Sequence, residues 1–102
     1  MIDTAGSAAN AAYEYKKRGA RSVNIVATHG LFSRKGGQSA VERIENSAYD
    51  RVIITDSILQ DEETQREIAE SSKIQVVSIA PILAVAILCN LTGESIGERL
   101  IK

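Results

Sequence analysis

Three short stretches rich in β-branched residues, at positions 22–27, 51–55 and 74–79, constrain the fold of this chain most strongly. Each has the length of a strand and is followed by polar or glycine residues typical of a turn. The segments between them have helical composition, so strands and helices alternate along the chain. Such alternation implies right-handed crossovers that build a parallel sheet with helices on its faces. The sequence therefore predicts an α/β fold.

Four helices are predicted between and beside these strands, at about 7–18, 39–45, 61–71 and 81–93. Thr4 or Ser7 can cap the first of them, and Gly19 is placed to end it. The second has one apolar face, which includes Ile44. The acidic residues at the start of the third helix are stabilised by the positive end of its dipole. Pro81 fits the first turn of the fourth helix.

Length and composition set the scale of the protein and exclude several partners. The chain has 102 residues, of which 44% are hydrophobic and 25% are charged. This length and composition predict one small domain over residues 1–102. The net charge of -1 offers no basic surface for nucleic acid or a membrane. No apolar run approaches the ~20 residues of a membrane span, and the first residues lack the pattern of a basic segment that leads into a hydrophobic one, so we expect a cytoplasmic location. Cys89 lies in an apolar run and is expected to be buried.

The chain begins with a turn of small residues that leads into the first predicted helix. Backbone amides in such a turn can approach a phosphate closely, and the helix N-terminus adds a positive partial charge. Thr4 and Ser7 supply hydroxyl donors, whereas Asp3 would accept from a sugar hydroxyl or from the loop backbone. A phosphorylated sugar therefore fits this loop better than free phosphate. An ordinary helix cap remains the alternative interpretation of the same residues.

Further polar residues lie just beyond the predicted strands. His29 and Asp56 follow the first and second strands, at the edge where open parallel sheets bind ligands. For His29 a structural and a functional role are equally open, and for Asp56 a turn or cap is favoured. A lone histidine gives no metal-site spacing. In the loop 33–39, Arg34 and Lys35 beside two glycines could cradle a phosphate, but a solvated surface loop is favoured.

Five segments, taken in order, are similar to those of a known family. They are MIDTAGS, ATHGLFS, ERIENSAYDRVIITDSI, KIQVVSIAPILAVAI and NLTGES. Together they resemble the C-terminal half of ribose-phosphate pyrophosphokinase, also called phosphoribosyl pyrophosphate synthetase, over essentially the whole chain. The resemblance implies a partial phosphoribosyltransferase-like (Rossmann-like) domain of three layers, with a parallel sheet and flanking helices.

The resemblance also implies a reaction and a set of site residues. In the family, ATP gives its diphosphoryl group to the C1 hydroxyl of ribose 5-phosphate with Mg²⁺, for nucleotide synthesis. The residues that would hold the sugar 5-phosphate are Asp3, Thr4, Ala5, Gly6 and Ser7. A regulatory phosphate or nucleotide site would include Ser95, with Arg99 favouring a bound phosphate and Glu98 disfavouring it. No residue of this chain is assigned a catalytic role.

In the family, a strand with two acidic residues precedes the phosphate loop, and the ATP-binding residues lie in the N-terminal half. We therefore expect a fragment truncated at its N-terminus, inactive by itself, whose complete enzyme binds ATP and ribose 5-phosphate as a homo-oligomer. Two alternatives stay open. The chain could be a non-catalytic regulatory protein associated with the synthetase, or a nucleobase phosphoribosyltransferase that consumes the diphosphate product.

Overall fold

The computed structural model describes residues 1–34 and 36–100. Three strands form a parallel sheet in the order β1-β2-β3. They are Asn24–Ala27 (β1), Arg51–Thr55 (β2) and Ile74–Val77 (β3). The α/β class and the parallel sheet are therefore confirmed. The second strand has the predicted bounds, whereas the first begins two residues later and the third ends two residues earlier than predicted.

Within the described residues the chain forms five helices. They are Gly6–Lys17 (α1), Ala40–Glu45 (α2), Glu62–Glu70 (α3), Ala80–Thr92 (α4) and Ile96–Leu100 (α5). The first four match the predictions, and α5 was not predicted. Gly19, with φ 102°, follows α1 in the left-handed conformation that commonly ends a helix. Asp61 caps α3, since its carboxylate accepts from the Thr64 amide at 2.7 Å.

The predicted side-chain cap of α1 is wrong. The N-cap residue is Ala5, whose φ of 67° is left-handed, and no side chain caps the described first turn. Thr4 precedes the N-cap and Ser7 lies inside the helix, so neither hydroxyl occupies the capping position. By contrast, the Ser39 hydroxyl caps α2 by accepting from the Glu42 amide at 3.1 Å. The first amides of α1 are thus left for an acceptor outside the helix.

One face of the sheet shares a hydrophobic core with α1, α2 and α3. The buried core residues are Ile2, Ala5, Ala12, Val23, Ala27, Phe32, Ala40, Val41, Ile44, Tyr49, Val52, Ile54 and Ile74. Val52 and Ile54 of the central strand are 0% and 1% exposed, and Ile44 of α2 is equally buried at 1%. Removing these side chains from water is the main force that holds the domain together.

The opposite face of the sheet is largely open. Because side chains alternate along a strand, Val26, Ile53 and Val77 point away from the core. Val26 is 73% exposed and Val77 is 46% exposed. In the part of the chain that the structure describes, helices therefore bury one face only, and two layers are present instead of the three predicted. β-branched composition predicts strands well but cannot show what covers each face.

Helix α4 is apolar and poorly covered. It contains no charged residue, and its large exposed side chains are Ile82, Leu83, Ile87, Leu88 and Leu91. It packs on α5, and Cys89 is buried as predicted. The radius of gyration, 16.5 Å, exceeds the ~13 Å of a compact chain of this length, in keeping with a projecting helix. None of the described helices is long and apolar enough to cross a membrane.

Gly30 lies against the core where a side chain does not fit. A Cβ atom there would lie 2.8 Å from Cδ1 of Ile54 and 3.3 Å from Cζ of Phe32. We expect Gly30→Ala to lower the free energy of unfolding by about 1–3 kcal/mol, because overpacking displaces neighbouring side chains. Adding Ile54→Val, which removes Cδ1, should recover part of this loss in urea unfolding. If Gly30→Ala lowers the free energy of unfolding equally in the presence and absence of Ile54→Val, the steric explanation is wrong.

Glu45 joins the end of α2 to the segment that enters β3. Its carboxylate accepts hydrogen bonds from the Ser71 hydroxyl and, at 3.2 Å, from the Ser72 hydroxyl. The Lys73 ammonium donates to the backbone carbonyls of Glu45 and Ser47 at 2.9 and 2.8 Å. The hydrogen bond from Ser71 is the main reason that the pKa of Glu45 is lowered.

This lowered pKa predicts acid sensitivity. A carboxylate whose pKa is lower in the folded chain stabilises the fold above its unfolded pKa of about 4.3, and the contribution is lost as the pH falls through the folded pKa. We expect Glu45→Gln to lower the free energy of unfolding at pH 7 by about 1 kcal/mol and to flatten its decline between about pH 5 and 3. Thermal unfolding over this range measures both effects, with the exposed Glu14→Gln as control. A decline as steep as that of the wild type would contradict this role.

Candidate functional site

The opening loop, residues 1–8, lies beside the carboxyl end of β1. Ile2 forms a parallel bridge with Gly30. The Ile2 amide donates to the His29 carbonyl at 2.9 Å, and the Leu31 amide donates to the Ile2 carbonyl at 2.7 Å. The loop therefore extends the sheet at its β1 edge and leads directly into α1. This places it at the edge where open α/β sheets bind ligands.

The loop presents backbone amides to a cleft. The Ala9 amide donates to the Ala5 carbonyl at 2.9 Å, so the amides of Gly6, Ser7 and Ala8 have no acceptor one turn earlier. The left-handed Ala5 turns the chain into the helix, and a cleft of about 210 Å³ lies among residues 1–8. Gly6 has no Cβ beside this cleft, which lets an anion approach its amide closely. The arrangement has the geometry of an anion site at a helix N-terminus.

Two hydrogen bonds from distant residues hold the loop. A carboxylate oxygen of Asp3 accepts from the Ser33 amide at 3.3 Å, and Nη1 of Arg43 donates to the Thr4 carbonyl at 2.9 Å. Asp3 was predicted to accept from a sugar hydroxyl or from the backbone of its own loop. It accepts from a backbone amide, but that amide belongs to another loop. Sequence reasoning missed Arg43, since nothing in the sequence pairs a residue near the end of α2 with Thr4.

His29 belongs to a hydrogen-bonded group at the same edge. Its Nδ1 atom lies 2.7 Å from the Ser57 hydroxyl, which donates to the Thr28 carbonyl at 3.0 Å. The Thr55 hydroxyl also donates to the Thr28 carbonyl. These contacts hold the imidazole against the segment that follows β2, and its Nε2 atom has no hydrogen-bond partner among the described residues. They give His29 a structural partner, and its functional role stays a prediction.

Asp56 links the end of β2 to the segment that enters α4. One of its carboxylate oxygens accepts from the Ile79 amide at 2.9 Å, just before α4. This bond is the main cause of the lowered pKa of Asp56, and the Ser78 side chain adds to it. Asp56 thus has a structural partner in the described residues, and its interpretation as a turn or cap residue stays a prediction.

The loop after β1 does not offer Arg34 as a free phosphate ligand. Its guanidinium forms an ion pair with Glu67 and lies 3.1 Å from the carboxylate of Glu63. The pair with Glu67 raises the pKa of Arg34. Lys35, the second cation of the predicted cradle, lies outside the described residues. The structure thus favours a surface loop tied to α3 over a phosphate cradle.

The residues predicted for a regulatory site have partners near α5. The Ser95 hydroxyl accepts from the Glu98 amide at 3.4 Å, and Arg99 forms a 2.8 Å ion pair with Glu94. Both contacts are local and exposed. The regulatory role of Ser95 and Arg99 stays a prediction.

The described residues contain no cluster of metal-binding side chains. Nowhere in the described ranges do three side chains of the metal-binding types come together. Asp3 is the one acidic residue among positions 1–8, and Mg²⁺ needs several oxygen ligands from protein, substrate or water. The binding of Mg²⁺ by the complete enzyme stays a prediction.

A parallel sheet with flanking helices, and with a helix start that lacks a side-chain cap beside its carboxyl edge, defines an α/β domain. Residues 1–101 match the family described as phosphoribosyl synthetase-associated domain, and the chain belongs to this family.

Ribose-phosphate pyrophosphokinases are similar to the chain over nearly its full length. The enzyme of Hyphomonas neptunium is 40% identical over 98 residues, which cover 96% of this chain and 29% of that protein. That of Vibrio parahaemolyticus is 41% identical over 97 residues, which cover 95% of this chain and 28% of that protein. That of Bifidobacterium longum is 39% identical over 98 residues, which cover 96% of this chain and 26% of that protein. The chain thus spans between a quarter and a third of these relatives.

Proposed function

We propose that the chain binds the 5-phosphate of ribose 5-phosphate as part of a ribose-phosphate pyrophosphokinase. The observation that carries this proposal is the left-handed, uncapped entry into α1 at Ala5. Phosphate oxygens would accept from the amides of Gly6, Ser7 and Ala8 and from the hydroxyls of Thr4 and Ser7. The similarity of the chain to enzymes of that name supports a sugar phosphate as the ligand.

In the proposed reaction, the C1 oxygen of the sugar attacks the β-phosphorus of ATP. The bond from that phosphorus to the bridging oxygen breaks, AMP leaves, and the C1 hydroxyl loses its proton. Such a transfer depends chiefly on positioning and on stabilising charge. The loop would contribute by anchoring the 5-phosphate and so orienting the C1 hydroxyl. The Asp3 carboxylate, which accepts from the Ser33 amide, would point away from the phosphate and towards the sugar.

We further propose that the chain corresponds to the C-terminal half of such an enzyme, with a partial phosphoribosyltransferase-like fold. Binding of ATP and Mg²⁺, and hence catalysis, would then require residues outside positions 1–102, because the relatives are more than three times as long. Assembly into a homo-oligomer is part of the same proposal, and the exposed apolar side chains of α4 support it.

A second candidate function is a non-catalytic domain that associates with the synthetase. The family description, with its word "associated", favours this alternative. An assay of AMP formation from ATP and ribose 5-phosphate distinguishes the two when the chain is joined to the remainder of a relative. Restored activity supports the enzymatic role, whereas an inactive but folded hybrid supports the associated role.

Calorimetric titration with ribose 5-phosphate tests the proposal directly. Inorganic phosphate and phosphoribosyl diphosphate serve as comparison ligands, each with and without Mg²⁺. We expect saturable binding of the sugar phosphate and weaker binding of inorganic phosphate, because Asp3 can accept from a sugar hydroxyl. Absence of saturable binding of all three ligands would contradict a working phosphate loop in this chain.

A further inference from the structure

A second cavity lies between α3 and the carboxyl ends of β2 and β3. Its volume is about 330 Å³, near the lower end of the range for small-molecule sites. Most of its wall is aliphatic and includes Ile58, Leu59, Ile68 and Val76. Leu59 is 89% exposed and Val76 is 44% exposed, so neither side chain fills the space. The cavity therefore suits an apolar group of one or two rings.

The polar groups of the cavity include acceptors that have no donor among the described residues. The side-chain amide of Gln65 donates to the Gln60 carbonyl at 2.8 Å, and that of Gln60 donates to the Gly30 carbonyl. The Thr55 hydroxyl donates to the Thr28 carbonyl. One N–H of each glutamine amide and the Thr55 hydroxyl are engaged within the protein, and each amide keeps a second N–H. The side-chain oxygens of both glutamines accept no hydrogen bond from the described residues. A ligand with an N–H donor would complement them.

The charge at the cavity excludes anions. Asp56 lies on its wall, and none of the described lining residues is Lys, Arg or His. The Ile79 amide holds the Asp56 carboxylate in its ionised form near neutral pH. A phosphate or carboxylate group would meet this negative charge without a compensating cation. The cavity is therefore chemically unlike the opening loop.

We propose that this cavity is a binding site for a small aromatic molecule of one or two rings that carries an N–H donor and no negative charge. The aliphatic wall buries the ring, the glutamine oxygens accept from the N–H group, and Asp56 selects against anions. The site is separate from the phosphate loop and does not depend on the function proposed for that loop.

Indole is a suitable probe because the chain contains no tryptophan, so the fluorescence of indole reports binding directly. We expect saturable binding of indole at neutral pH. 1-Methylindole, which lacks the N–H donor, should bind about threefold to tenfold more weakly, the usual range for one hydrogen bond. Indole-3-acetate should also bind more weakly, because its carboxylate meets Asp56.

Variants of α3 locate the site. Ala69 lines the cavity, and Ala69→Phe should fill it and raise the dissociation constant of indole at least about tenfold. The control is Ala84→Phe on the exposed surface of α4, which should leave binding unchanged. Gln65→Met keeps the volume but removes an acceptor, so it should reduce the preference for indole over 1-methylindole. This second variant tests the site even if Ala69→Phe fails to fold.

Three outcomes with the wild type and the cavity variant would overturn the proposal. They are absence of saturable indole binding, binding that is equal in folded Ala69→Phe and in the wild type, and equal affinity for indole and 1-methylindole. Gly6→Val, which alters the phosphate loop, should leave indole binding unchanged, so this proposal and the sugar-phosphate proposal can fail independently. Loss of indole binding in Gly6→Val would place the aromatic ligand at the loop and would likewise overturn the assignment.

Discussion

Replacing Ile44 by alanine is expected to lower the free energy of unfolding by about 2–5 kcal/mol. Ile44 is 1% exposed and lies where α2 packs into the core with the central strand. Truncation removes buried apolar area and leaves a cavity that the surrounding side chains fill only in part. Small domains have total stabilities of about 5–15 kcal/mol, so this loss would unfold a substantial part of the population on mild heating. Urea unfolding followed by circular dichroism measures the change.

The same substitution in α4 is the matched control. Ile87 also lies in the interior of a helix, but its side chain is 62% exposed. Ile87→Ala should change the free energy of unfolding by no more than about 0.5 kcal/mol at low protein concentration. A loss comparable to that of Ile44→Ala would mean that α4 is packed in solution. A loss that grows with protein concentration would show that another copy of the chain covers α4.

Replacing Gly6 by valine is expected to weaken the binding of ribose 5-phosphate at least about tenfold, the loss of affinity that corresponds to about 1.4 kcal/mol. A Cβ at this position would lie 3.9 Å from Oγ1 of Thr4, which is an ordinary contact, and the φ of Gly6 is not in the left-handed region. The backbone can therefore accommodate the new side chain. Its two methyl groups would crowd the cleft and keep a phosphate from the amides at the start of α1.

Ala11→Val is the control for Gly6→Val, because Ala11 is an exposed residue of the same helix outside the loop. It introduces the same β-branched side chain into the same helix. Calorimetric titration of both variants should show a loss of binding in Gly6→Val alone. If both variants bind ribose 5-phosphate as the wild type does, the phosphate is bound elsewhere and the proposed loop is wrong.

The helices and strands were predictable because their signals are local. Asp61 and Ser39 stand where a side chain can accept from an amide three residues later, and both form these caps. The spacing of Ala40, Val41 and Ile44 predicts one buried helix face, and all three are buried. The cap of α1 was missed because a left-handed alanine has no sequence signature, since this conformation usually requires glycine.

The candidate site was predictable only in part. The small residues at positions 3–7 point to an anion site, and the order of the longer segments identifies the family. The contacts of Arg43 with Thr4 and of Ser33 with Asp3 join residues 39 and 30 positions apart, and no local pattern encodes them. The engagement of Arg34 by Glu67 is equally non-local, and it removes a phosphate cradle that composition alone leaves open.

The sequence by itself determined the α/β class, the alternation of strands and helices, and the small-residue turn before the first helix, because periodicity, caps and small-residue turns act over a few residues. The tertiary structure decided which sheet face is buried, which left α4 and Val26 exposed. It also decided that Ile2 pairs with Gly30, which sets the loop at the sheet edge, and that a cavity remains beside α3. These features depend on contacts between residues far apart in the chain, whose geometry is fixed only when the core packs.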